Sequence, residues 1–388
     1  FAFFFHVFAN PKPPFLYLTW HDDPATSVTV TYQLTDEDAE PRVFYDTVSH
    51  DGDRSLYRFE AEGAAHQIEG LPDGRWIHHV ELDDLLPGTS YYFVAGSEAS
   101  GLDRERKFRT LPDDGSPIRF ISGGDNRSGR LAAKLKRQAG RQDPHFAVIG
   151  GDLAYANGDF DRIRRWNRWL RNWDEHLVTP EGYIIPLVAA IGNHETNSDY
   201  DRDEPEKKAP FFFGFFNQAG ATYFHRPIGR DAGLIILDTN HIVPHADQVA
   251  WLEEALAAYA DRHHRIAVYH VPFYPSYRSF LGGDSVAGRQ YWMPLFEEHN
   301  LSVAFENHDH TFKRTKRLKG NEVHPEGILY LGDGNMGVSP RPVQHADEWY
   351  MEKSSSEPHF WVVDIDGEDI SFQAVDANGR TFDRYPEE

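Results

Sequence analysis

From residue 118 onward, five runs with the character of buried strands each end in a short polar island. This pairing of strand exits with polar groups constrains the fold more than any other feature of the chain. The runs are Ile118 to Ile121, His145 to Ile149, Ile184 to Val188, Arg265 to Tyr269 and Leu301 to Phe305. The islands beyond them are Gly124 with Asp125, GDLAY from Gly151 to Tyr155, GNHE from Gly192 to Glu195, His270, and HDH from His308 to His310. Short apolar runs bounded by Gly, Asp or Asn are the sequence form of parallel or sandwich-core strands. In layered α/β folds ligand sites gather beyond the carboxyl ends of the strands, so the islands can converge in one crevice.

The chain has 388 residues, more than one hydrophobic core usually organises, and two domains are expected. Before residue 113 the pattern differs: short alternating segments begin at Phe15, Ser27, Arg42, Ile77, Ser90 and Arg106, separated by Gly, Pro, Asp and Asn. That spacing predicts an all-β sandwich over residues 1–112, a linker at 113–117 (within Leu111 to Pro117, LPDDGSP) and an α/β unit over 118–388. Helices are predicted at Ser128 to Gln142, Asp159 to Leu177, Ala246 to Arg262 and Arg289 to His299, with further strands from Gly327, Phe360, Asp369 and Arg380. Within the second helix Trp166, Trp169, Leu170, Trp173 and Leu177 form one apolar stripe, so its arginines read as a solvated face rather than a nucleic-acid surface. Phe1 to Phe5 with Val7 and Phe8 reads as an N-terminal strand, the alternative being a leader remnant.

A net charge of −22 argues against a stable nucleic-acid partner, because phosphate backbones are held by clustered Lys and Arg. It also means that a site for an anionic substrate needs a concentrated local source of positive charge, such as metal. No run of eighteen apolar residues predicts a transmembrane helix. With no cysteine, a metal must be held by His, Asp, Asn or Tyr.

The islands carry such groups. Asp125 and Asp152 each follow two glycines, and a carboxylate can bridge two cations. Tyr155 lies three residues after Asp152; a phenol with a pKa near ~10 is a good ligand only beside a strongly Lewis-acidic ion, which points to a trivalent metal, iron. Asn193 offers a neutral oxygen. His194, with Glu195 beside it, reads as an imidazolium that stabilises a phosphoryl oxygen or protonates a leaving group. His308 and His310 alternate so that both face one side, leaving Asp309 facing the other way.

The ordered set of Asp125, Asp152 with Tyr155, GNHE, His270, and His308 with His310 resembles the metallophosphoesterase (calcineurin-like) superfamily, and within it the purple acid phosphatases. LLPGTSYYF from Leu85 resembles a segment near the end of fibronectin type III domains, which those enzymes carry ahead of the catalytic unit, with Tyr91 and Tyr92 structural. The resemblance implies a four-layer α/β/β/α catalytic domain of two packed mixed sheets flanked by helices. It further implies Fe3+ on Asp125, Tyr155 and His310, a divalent ion (Zn, Mn or Fe) on Asn193, His270 and His308, and Asp152 between them. Arg127 stands where the wider superfamily has a metal-binding histidine, a loss that Tyr155 compensates. Asn307 stands where the family has glycine. In the loop from Pro272 to Phe280, where relatives place substrate-contacting histidines, the polar groups are Tyr274, Tyr277 and Arg278, expected with Asn126 and Arg127 to touch substrate.

The expected function is hydrolysis of a small phosphate monoester, with water activated by two cations attacking phosphorus in line and with Asp152 and His194 as catalytic residues. A phosphodiesterase of nuclease or cyclic-nucleotide type using the same site is the alternative. A third reading is a catalytically dead secreted binding protein. Family resemblance implies a periplasmic or extracellular location.

Overall fold

In a computed structural model the described residues are 15–34, 41–97, 101–216, 218 and 220–387, so the segment from Phe1 to Phe8 lies outside them. Residues 15–109 form two facing antiparallel sheets. One orders Phe15–Thr19, Val28–Leu34, Trp76–Leu82 and Ala64–Gln67; the other pairs Phe59–Glu62, Arg42–Asp46, Ser90–Ser97 and Gly101–Leu102, with Arg106–Arg109 also on Ser90–Ser97. Alternation sends Leu16, Val30, Val80 and Phe93 between the sheets. Tyr91 is structural: its hydroxyl accepts from the Leu86 amide at 2.9 Å and closes the preceding turn.

Residues 118–385 form the four-layer unit. A six-stranded mixed sheet runs Leu187–Ala189, Phe146–Ile149, Ile118–Gly123, His359–Asp366, Asp369–Asp376 and Thr381–Tyr385. A seven-stranded mixed sheet runs Phe224–Ile228, Ala232–Ile236, His264–Val268, Val303–Phe305, Leu329–Gly332, Phe312–Thr315 and Met351–Ser355. The sheets bury their inner faces against each other through Phe120, Val148, Ile266, Val268, Phe305 and Trp361. The outer face of the first sheet (Ile121, Ala147, Ile149) is covered by helices Arg130–Gly140 and Ile163–His176. The outer face of the second (Ile235, Ala267) is covered by Val249–Ala257 and Met293–Glu298. Strands buried on both faces explain the unbroken apolar runs of the sequence.

The tryptophan stripe is buried as its spacing requires, with Trp166, Trp169 and Trp173 all at 1% exposure or less. The helix expected from Arg289 to His299 is instead two, Gly283–Tyr291 and Met293–Glu298. Pro294 lacks an amide hydrogen and so starts the second helix rather than continuing the first. The apolar core also runs through the junction between the sandwich and the four-layer unit: Tyr17 packs edge-on against Phe216 and donates to the Phe215 carbonyl at 2.7 Å, and Trp20 lies 5.1 Å from Phe146. Arg106 ties Asp103 of the sandwich to Asp174 of the long helix. No helix among the described residues is long and apolar enough to cross a membrane.

Candidate metal centre

The strand exits do converge. Asp125 follows Ile118–Gly123, Asp152 and Tyr155 follow Phe146–Ile149, Asn193 and His194 follow Leu187–Ala189, His270 follows His264–Val268, and His308 with His310 follows Val303–Phe305. The first three strands belong to one sheet and the last two to the other, so the site straddles the seam between the sheets.

Two groups of donors result. In the first, the Tyr155 hydroxyl donates to Asp125 Oδ1 at 2.9 Å, His310 Nε2 lies 2.8 Å from the same oxygen, and Tyr155 and His310 are 3.2 Å apart. In the second, His270 Nε2 faces Asp152 Oδ1 at 3.4 Å, Asn193 Oδ1 at 3.3 Å and His308 Nδ1 at 2.9 Å. The His308 amide donates to Asp125 Oδ2 at 2.8 Å and joins the two groups.

The chemistry of these donors fits cations. His270 has its Nδ1 on the Gly150 carbonyl at 2.9 Å, which makes Nδ1 the donor to the backbone and aims Nε2 into the cluster, where it is free to bind a cation once its proton is displaced. Burial opposes charge on His270, yet the adjacent Asp152 carboxylate outweighs it and holds the imidazole up at about 9. The cluster therefore favours positive charge at that spot. Burial, then the charges of Asp125 and Asp152, push the Tyr155 phenol far above its ordinary 10, so a phenolate there requires a neighbouring cation. Asp125, Tyr155 and His310 can hold one ion, Asn193, His270 and His308 a second, with Asp152 available between.

His194 is held differently from expectation. Its Nδ1 is 2.7 Å from Asn157 Oδ1, its amide donates to Asp152 Oδ1 at 2.8 Å, and its Nε2 lies 3.8 Å from Asp152 Oδ2. The neighbouring Glu195 is buried and turned away, accepting the amides of Asp152, Leu153 and Gly192 at 2.7, 2.8 and 2.9 Å. Glu195 therefore braces the backbone of two islands and does not hold an imidazolium; burial first of all lowers the pKa of His194. Asn157, two residues beyond Tyr155, is the orienting partner that sequence reasoning missed, and an Asn shortly after GDLAY was its one available signal.

Two expected substrate contacts are corrected. Asn126 is fully buried, with its amide donating to the Met336 carbonyl at 3.2 Å and accepting Trp169 Nε1 at 3.0 Å, so neither end can reach a phosphate. Tyr274 is likewise buried in the second helical layer, its hydroxyl bonded to Asn321 Oδ1 at 3.0 Å. Arg127 is exposed, stacked 4.4 Å over the Tyr155 ring at the rim of the site. Arg278 is partly exposed, with Nη1 on the His308 carbonyl at 2.5 Å and on Asp309 Oδ1 at 2.9 Å, and Tyr277 is half-buried beside it. Asp309 does face away from the donors and accepts the amides of Ser276, Tyr277 and Arg278. Asn307 fills the space left by two glycines: an added Cβ would lie 2.2 Å from its Oδ1 at Gly124 and 1.9 Å from its Nδ2 at Gly150.

A four-layer core with carboxylate- and histidine-bearing strand exits defines a calcineurin-like phosphoesterase domain, and the family model of that description matches residues 122–312. The model of the purple acid phosphatase N-terminal domain matches residues 13–110, and the chain belongs to the metallophosphoesterases, in their purple acid phosphatase branch. An uncharacterized protein of Mycobacterium tuberculosis is 26% identical over 342 residues, covering 79% of this chain and 62% of its own length. Purple acid phosphatase 15 of Arabidopsis thaliana is 24% identical over 327 residues, covering 76% of this chain and 58% of its own. The chain thus spans about three fifths of the length of these curated relatives. The solved purple acid phosphatase from yellow lupin seeds has the same fold, with a TM-score of 0.78, 17% identity and coverage of 95% of this chain and 73% of that one.

Proposed function

We propose that this chain hydrolyses small phosphate monoesters at a dinuclear metal centre formed by Asp125, Asp152, Tyr155, Asn193, His270, His308 and His310. The observation that carries this reading is the meeting of two donor groups, one with a phenol and one with two histidines, at strand exits of two different sheets. Bound there, a pair of cations would neutralise phosphoryl charge and acidify water at moderate pH. The chain's own residues supply the rest. His194 presents Nε2 from the rim, oriented through Nδ1 by Asn157, where it can stabilise or protonate a leaving oxygen. Arg127 is an exposed guanidinium beside Tyr155 that can meet a phosphoryl oxygen.

The phenol favours Fe3+ in the first group and the neutral Asn193 oxygen a divalent ion, Zn, Mn or Fe, in the second. Elemental analysis of purified protein, with rates on an aryl phosphate and its diester, tests the reading. The expected result is two metal equivalents, iron among them, a monoester preference, and loss of both metal and turnover in Asp152→Ala. Turnover unchanged in that variant, or a faster diester rate, refutes it. A visible charge-transfer band that disappears in Tyr155→Phe tests the iron assignment. Export from the cytoplasm belongs to the same family-based reading and is tested by cell fractionation.

A further inference from the structure

Beside the metal centre two guanidinium groups meet on one backbone carbonyl. Arg278 Nη1 donates to the His308 carbonyl at 2.5 Å and Arg341 Nη1 donates to the same oxygen at 3.2 Å. Both side chains are partly exposed. Only one carboxylate serves the pair: Asp309 Oδ1 bonds Arg278 at 2.9 Å, while its other oxygen is occupied by three amides. Among the described residues no carboxylate lies within ion-pair distance of Arg341. Two cations balanced by one anion leave a local excess of positive charge, in a chain whose net charge is −22. Such an excess repels itself and is relieved by an incoming anion.

Arg341 is also held in advance. It sits between Pro340 and Pro342, whose rings restrict the backbone on both sides. Its amide donates to the His310 carbonyl at 3.0 Å and its carbonyl accepts from Ser356 Oγ at 2.7 Å. Its guanidinium lies 5.1 Å from the centre of the Tyr277 ring. A fork fixed in this way loses little entropy on binding and matches the two oxygens of a phosphate or carboxylate. Both arginines are anchored on the backbone carbonyl of His308, whereas the His308 Nδ1 faces His270 and the metal donors. The pair therefore flanks the reacting position.

We infer that Arg278 and Arg341 form a second anion subsite, and that the preferred substrates are phosphate esters whose leaving group carries a further anionic group, a second phosphate above all. The inference rests on the phosphoesterase reading for its substrates but not for its binding chemistry, and the test separates the two. On the holoprotein, calorimetry would compare methylenediphosphonate with methylphosphonate, and kinetics would compare a sugar bisphosphate with the matching sugar monophosphate. In the wild type the two-anion ligand is expected to bind at least tenfold more tightly and the bisphosphate to show at least tenfold higher kcat/KM. Arg341→Gln should reduce both preferences to within about threefold of unity, mainly through KM, and Arg341→Lys should restore part of each. If Arg341→Gln does not fold, as judged by its melting temperature, Arg341→Lys alone must still narrow the ligand preference. An equal fall for one-anion and two-anion compounds would place Arg341 on the scissile phosphate and overturn the subsite; no change in either would overturn it as well. A wild type that cleaves no phosphoester yet keeps an Arg341-dependent preference for the bisphosphonate refutes the hydrolase reading and leaves the subsite standing.

Discussion

Asn307 occupies a position that resemblance assigns to glycine, and its packing gives a prediction with a definite size. Gly150 supplies the carbonyl that fixes His270, and directly beside it lies the Asn307 amide, itself donating to the Tyr269 carbonyl at 2.9 Å. In Gly150→Ala the new Cβ would stand 1.9 Å from Asn307 Nδ2, where ordinary contact begins at 3.4 Å. The amide must therefore move and abandon Tyr269. Overpacking of this kind costs about 1–3 kcal/mol, and a buried carbonyl left without its donor costs about 1–3 kcal/mol more, so Gly150→Ala should lose roughly 2–6 kcal/mol. Asn307→Ala removes the donor without a clash and should lose about 1–3 kcal/mol. In the double variant the clash has no partner, so its cost should match Asn307→Ala alone, and the coupling should equal the whole cost of Gly150→Ala, roughly 2–6 kcal/mol. Urea unfolding of the metal-depleted protein measures all three, and metal content follows whether His270 keeps its orientation. A Gly150→Ala midpoint equal to wild type, or strict additivity in the double variant, would show that Asn307 does not fill this gap.

Asn157→Gly, which keeps the positive-φ backbone, should leave metal content unchanged while lowering kcat about 10–100-fold, since it removes only the partner of His194 Nδ1; loss of metal instead would mean that the Asn157 side chain supports the donors themselves. Asp309→Asn should weaken the anchoring of the loop at Ser276, Tyr277 and Arg278 and cost about 1–3 kcal/mol, read by thermal unfolding. Burial lowers His79 to about 3 and His145, His245 and His359 to about 4. Because these folded-state values are depressed below the unfolded ~6.5, the histidines are neutral in both states at higher pH. As pH falls from ~6.5 towards ~4 the unfolded chain gains protons that the folded one refuses, and stability drops by up to ~1.4 kcal/mol per pH unit for each. A urea midpoint that stays level over that window would contradict the buried, neutral state of these rings.

The parts of the molecule that were legible in the sequence are those set by local repetition. Strands enclosed between two layers need apolar residues at every position, so Phe146–Ile149 and His264–Val268 announce themselves and their polar exits stand out. The sandwich strands and the tryptophan stripe follow from periods of two and 3.6. What escaped reading depends on partners distant in the chain. Phe224–Ile228 carries Pro227, which argues against a strand until the strand is known to be the sheet edge. Tyr274 looked available because it is one of the few polar groups in its loop, but Lys313 binds the Tyr274 carbonyl at 2.5 Å from 39 residues away and Asn321 takes its hydroxyl, turning the ring inward. Arg341 lies 33 residues beyond His308 in a segment without periodicity, and only the fold brings it to that carbonyl.

The backbone at the site explains why the islands have the composition they do. Five of the proposed metal-holding residues, Asp125, Asp152, Tyr155, His308 and His310, adopt positive φ between 51° and 77°, and so does Asn157 at 58°. Side chains other than glycine meet a steric penalty there, of order ~1–3 kcal/mol each, which persists only when the surroundings fix the conformation. Here buried carboxylates do the fixing through amides: Glu195 binds the amides of Asp152, Leu153 and Gly192, Asp125 binds that of His308, and Asp152 binds that of His194. A left-handed residue at a strand exit turns the chain sharply, so that a side chain which would have continued the alternation of the strand is redirected across the crevice. The charged groups thus act twice, as donors to a cation or as clamps on the turns that aim those donors. Removing a clamp should consequently loosen ligand geometry without deleting any ligand, and Glu195→Gln separates the two roles. With one of its oxygens replaced by an amide donor, it cannot accept all three backbone amides, so metal affinity should fall about 10–100-fold while every proposed ligand remains in place. Metal affinity equal to wild type, measured by competition with a chelator, would mean that the positive-φ turns hold without the carboxylate and that the clamp argument is mistaken.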